Sequence, residues 1–145
     1  METSLLIAVV TPSISIIGSA SLFFLTKRSE RIAKLREEKV AHYKELISAI
    51  SDLAVDGVEK NEANQRFALA LNTIGLVAPQ KVVNALMDFH NEIKYTNSEK
   101  SQQKHDELLK RLLFAIRKDI GMPSKDSFNE FRFHLIGSRP RKIVR

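Results

Sequence analysis

The run LLIAVVTPSISIIGSASLFFL occupies residues 5–25 without one charged side chain, and its reading decides the architecture. At about 1.5 Å of rise per residue, a helix of this length crosses a hydrocarbon core of roughly 30 Å. Twelve of its 21 residues are Leu, Ile, Val or Phe. Each contributes about −0.3 to −0.6 kcal/mol to insertion, several kcal/mol together before Pro12 and the hydroxyls subtract. The run is read as a transmembrane helix.

Its flanks set the orientation. Only Met1, Glu2, Thr3 and Ser4 precede it, whereas Lys27, Arg28, Arg31, Lys34, Arg36 and Lys39 follow. Such a cationic excess stays cytoplasmic, which predicts a single-pass inner-membrane protein with its N-terminus outside and its C-terminal domain in the cytosol. The rival reading is a cleaved signal peptide followed by a periplasmic domain. That requires a basic segment ahead of a shorter apolar run, and no Lys or Arg stands before residue 27.

Inside the run, Thr11, Ser15 and Ser19 recur every four residues with Gly18 beside them. Small and hydroxylated side chains on one face allow a second helix to approach closely, so self-association in the bilayer is expected. The alternative is a monomeric anchor in which these residues are incidental. Pro12 removes a backbone donor and predicts a kink.

The remaining 120 or so residues suffice for one small domain. All 23 Lys and Arg follow residue 26 against 16 of the 17 acids, so this part carries a net +7. The charge suits an anionic partner such as headgroups, nucleotide or nucleic acid, although topology alone also favours cations here. The absence of Cys excludes disulfides, thiolate catalysis and Cys-based zinc sites.

Helical periodicity continues beyond the run. Residues 27–39 read as a solvated stalk, after which Val40, Tyr43, Ile47, Ile50 and Ala54 repeat at intervals of three and four, up to a stop at Asp56-Gly57. A second helix is predicted from about Glu59 to Ile74, ended by Gly75, and a third begins at Pro79 with Val82, Val83, Leu86, Phe89, His90 and Ile93 at helical spacing. The polar run 95–103 breaks the chain, with Ser98 or Ser101 as cap. The fourth helix presents Leu108, Leu109, Leu112, Leu113, Ile116 and Ile120 and closes at Gly121. Residues 128–136 stay open between a short capped helix and a strand, because Ser127 and Glu130 fit a capping box while Phe131, Phe133 and Leu135 alternate. The expected architecture is all-α: an anchor over 1–26, a stalk over 27–39, a cytosolic bundle of about four helices over 40–138 and a basic tail over 139–145.

No catalytic signature accompanies this plan. The four histidines have no i,i+4 pair, there is no Gly-rich phosphate loop and no nucleophile elbow. His105-Asp106 has the form of a phosphohydrolase metal dyad but lacks the further His and Asp ligands, and reads as two polar residues opening the fourth helix. Neither an enzyme nor a cofactor is expected. The candidate ligand residues are cationic: Arg111, Arg117 and Lys118 on the fourth helix, with Arg132, Arg139, Arg141 and Lys142 beyond it. Guanidinium groups match phosphate geometry, and an oligomer would repeat the cluster around its axis. The alternative is a charge distribution that is solvated, lipid-facing or sets topology, with Arg117 and Lys118 there for the negative end of the helix dipole.

The chain, through its apolar run, KRSERIAKLREEKVAHYKELISAI (27–50), NTIGLVAPQKVVNALMDF (72–89), HDELLKRLLFAIRKDIGM (105–122) and FRFHLIGS (131–138), resembles a widespread group of small bacterial membrane proteins with one N-terminal span and a helical cytosolic domain, of largely unassigned role. Its plan is similar to that of CRISPR-associated membrane effectors, which bind a cyclic oligoadenylate in the cytosol and then perturb the membrane. The resemblance implies a homo-oligomeric sensor or effector at the bilayer, receiving a cyclic oligonucleotide in antiviral defence. It transfers no functional residue. A plain membrane anchor or adaptor for a protein partner is the second expectation.

Overall fold

The computed structural model describes residues 2–55, 57–122, 125 and 127–136, with side chains from residue 21 onward. Among these residues the chain is all-α, with four helices and no strand: α1 (Glu2–Ala54), α2 (Lys60–Val77), α3 (Gln80–Ile93) and α4 (Gln102–Asp119). The residues form two compact units, Met1–Glu38 and Lys39–Arg145.

In the first unit, Leu22, Phe23, Phe24 and Leu25 are all exposed, and Lys27 pairs with Glu30 at 2.8 Å. No helix among the described residues is long and apolar enough to cross a membrane. Most of the 5–25 run, including Thr11, Ser15, Gly18 and Ser19, has side chains outside the described residues.

The second unit owes its core to four amphipathic faces. Leu46 and Ile50 of α1, Phe67 and Ile74 of α2, Leu86 and Phe89 of α3, and Leu109 and Leu112 of α4 meet in one buried cluster. Each such side chain contributes about 1.5–3 kcal/mol by leaving water. The first helix stops where expected, with Gly57 in the left-handed region at φ 101°. Gly75, in contrast, does not end α2. Its φ is not positive, and the helix runs on to Val77 and stops at Ala78, which is extended at ψ 147°. The terminator is Pro79, whose ring disfavours the helical conformation in the residue before it. Residues 128–136 form neither helix nor strand. One turn closes with Phe131 N–H on the Ser127 carbonyl at 3.0 Å, and an irregular segment follows from which Leu135 packs against the core.

Three polar clasps hold the helices in register. Arg66 of α2 reaches Asp52 and Glu45 of α1, and the bonded Glu45 carboxylate, with Asp52 beside it, raises the guanidinium pKa further. Asp119 at the end of α4 accepts from Lys39 Nζ at 3.1 Å and from Tyr43 Oη at 2.6 Å. Burial first, and then this bond to a carboxylate, push the Tyr43 phenol up from its ordinary value. Glu92 of α3, only 3 % exposed, accepts from Ser101 N at 2.8 Å and from Lys104 Nζ at 2.9 Å. The Ser101 amide, then Lys104, hold its carboxyl below the usual carboxylate range despite burial.

Candidate ligand-binding cleft

A cleft of about 1020 Å³ opens in the second unit where the last turns of α1 and α3 meet the first turns of α2 and α4. Two helix starts and two helix ends face it, so their partial charges oppose one another. The charge of the cleft therefore comes from its side chains. Lys60 opens α2, Lys94 caps α3 and Lys100 lies in the α3–α4 connection, and all three line the cleft and are exposed. None of them belongs to an ion pair among the described residues. Lys94 Nζ donates to the neutral Asn91 amide at 3.1 Å, and Lys94 also borders a second hollow that carries Asp88, Glu92 and Glu99. Asp52 is the only acid along the described wall, and Arg66 already engages it.

Beneath the lysines the wall is aromatic. Phe67 backs the His90 ring at 6.1 Å between centroids, and Phe89 backs the His105 ring at 5.2 Å. Both phenyl rings are buried core residues, and His90 follows Phe89 directly on α3. The Nδ1 of His90 is shielded from solvent and makes no hydrogen bond. That of His105 lies 3.1 Å from Asp106 Oδ1, an arrangement in which Nδ1–H donates to the carboxylate. Among the described residues no three His, Cys, Asp or Glu converge in a way that could hold a metal ion. Ile50, Ile93 and Leu135 complete the apolar part, and Tyr95 stands at the rim, 98 % exposed.

The cationic residues of α4 lie elsewhere. Lys118 Nζ sits 4.8 Å from the centroid of Phe114, and the Arg117 guanidinium lies 5.3 Å from that of Phe131. Lys110 does the same over Phe128 at 4.5 Å. Phe114 packs on both Phe128 and Phe131, so these contacts fasten the C-terminal segment to α4. Arg111 pairs with Glu107 at 3.1 Å and borders a shallower hollow of about 540 Å³ that also carries Asp88, Glu92 and Glu99. Arg132 is exposed, and Arg139, Arg141 and Lys142 lie outside the described residues. The structure thus brings Arg117 and Lys118 together with aromatic rings and places none of Arg111, Arg117, Lys118 and Arg132 on the large cleft.

Sequence reasoning assigns no binding role to Lys60, Lys94 and Lys100, which are scattered along the chain, and reads His90 as part of the helical spacing of α3 and His105 as a polar residue opening α4. The available signal is position. Each lysine borders a connection between helices, and connections carried by a rigid bundle are where binding groups concentrate. Comparison of the chain with known protein families, with curated proteins and with solved structures finds no match.

Proposed function

We propose that the chain is a non-enzymatic, self-assembling, single-pass inner-membrane protein whose cytosolic helical domain receives a small anionic signal in this cleft and relays it to the membrane segment. The observation that carries the reading is the set of three lysines without acidic partners around one cleft. A cluster of like charges is destabilised by its own repulsion and is relieved by a bound anion. Support for the anchor comes from Leu22, Phe23, Phe24 and Leu25, four successive exposed apolar residues that together cover every side of their turn. A helix apolar all round is matched by hydrocarbon, and the cations from Lys27 onward suit the cytoplasmic boundary. The resemblance of plan extends the proposal to a cyclic oligonucleotide signal and to antiviral defence.

The test is thermal unfolding of the full-length protein in detergent micelles with tripolyphosphate, with linear and cyclic nucleotides, and with heparin as a polyanion too large for the cleft. A ligand at a hundred times its dissociation constant adds about 2.7 kcal/mol, a shift of several degrees in a domain of this size. A rise with a small phosphate and not with heparin supports the sensor reading. No rise with any of them contradicts it. The second reading, an adaptor that holds a protein at the membrane, is favoured by Leu69 and Leu76, two turns apart on α2 and 61 % and 87 % exposed.

A further inference from the structure

We infer that the cleft recognises a nucleotide, its heterocyclic base held on the His90 and His105 wall and its phosphates held at the lysine rim; this rests on the reading of the cleft as an anion site. The argument is the division of labour within the cavity. The cations are exposed and stand on helix ends and a connection, at the mouth. The rings belong to helix interiors and sit deeper, Phe67 and Phe89 in the core with the two imidazoles half-buried over them. A purely inorganic anion would use the mouth and leave the wall idle. An apolar ligand would use the wall and leave the lysines at the mouth without an ion pair. A ligand that satisfies both is planar and aromatic at one end and multiply anionic at the other.

The wall favours a flat ring and the rim favours phosphate, a combination that a nucleotide supplies. The imidazoles lean on phenyl rings at interplanar angles of 31° and 57° and, half-buried, offer ring surface on which a flat base can stack. The volume, about 1020 Å³, lies at the upper end of small-molecule sites and admits more than a single base with one phosphate. At the rim, Lys60, Lys94 and Lys100 supply three positive charges, which matches the two to four negative charges of a nucleoside polyphosphate or a cyclic dinucleotide.

The test is titration calorimetry on the full-length protein in detergent micelles. The probes are the four ribonucleoside triphosphates, cyclic di-AMP, cyclic di-GMP, tripolyphosphate and adenosine. At least one nucleotide is expected to bind about tenfold or more tightly than tripolyphosphate, with adenosine weaker than both. His90→Ala is expected to remove that advantage while leaving tripolyphosphate binding within about twofold, and Lys94→Gln to weaken both. Should His90→Ala fail to fold, the wild-type comparison decides the matter alone. Tripolyphosphate binding as tightly as every nucleotide would overturn base recognition and leave the anion site standing. Absence of binding by any phosphate compound would overturn both.

Discussion

Two basic surfaces of the helical domain carry similar residues to different ends. Along α4, Lys110, Arg117 and Lys118 each lie over an aromatic ring, and Arg111 faces Glu107. Around the cleft, Lys60, Lys94 and Lys100 form no ion pair among the described residues and share the lining with the rings of Phe67, Phe89, His90 and His105. Lys110 and Arg117 fasten the C-terminal segment, Arg111 and Lys118 are engaged within α4 itself, and the lysines of the cleft remain available to a ligand. A count of cations in sequence cannot separate these cases. Their neighbours can.

Both surfaces depend on one core, and the largest expected effect tests that dependence. Leu112, fully buried on α4, lines neither the cleft nor the shallower hollow. Leu112→Ala is expected to cost about 2–5 kcal/mol in denaturant unfolding, through lost burial and a residual cavity. A loss below about 1 kcal/mol would mean that α4 does not pack as described.

The aromatic fastening comes next. Phe114→Ala removes the ring on which Phe128, Phe131 and Lys118 meet. The expected cost is about 1–3 kcal/mol, with faster tryptic cleavage after Arg132 as the C-terminal segment comes away. Unchanged cleavage would break the contrast on the α4 side.

Glu92 ties down the end of the α3–α4 connection that carries Lys100, through Ser101 and Lys104. Its folded-state pKa is depressed, so its contribution is complete above the ordinary carboxylate range and fades as pH falls through the lowered value. The thermal midpoint of wild type is therefore expected to drop more steeply on acidification than that of Glu92→Gln, which begins lower at neutral pH. Parallel pH profiles would show that the clasp adds no stability. The smallest effects belong to Arg111→Gln and Lys118→Gln, each at most about 1 kcal/mol, since both side chains are exposed.

Much of the bundle is legible in the apolar rhythm. Tyr43 and Ile50, Phe67 and Ile74, Leu86 and Phe89, and Leu109 and Leu112 are buried as their spacing predicts. What the rhythm misses is decided by partners distant in sequence. Glu92 falls on the buried face of α3, and its acceptance inside rests on Ser101 and Lys104, which no pattern within α3 reveals. Gly75 reads as a terminator until Pro79 supplies a stronger one. Phe131 and Phe133 alternate like a strand, but no second strand exists among the described residues to pair with them. For the site, the cations of α4 are conspicuous because they are adjacent, whereas the cleft is assembled from four helix ends that only folding brings together.

The most direct measurement compares two double variants of the full-length protein by titration calorimetry with tripolyphosphate and the tightest nucleotide. Lys94→Gln with Lys100→Gln is expected to reduce affinity by tenfold or more, and Arg111→Gln with Lys118→Gln to leave it within about twofold. The reverse pattern, with binding lost in the α4 pair and kept in the cleft pair, would contradict the assignment of the cleft as the anion site.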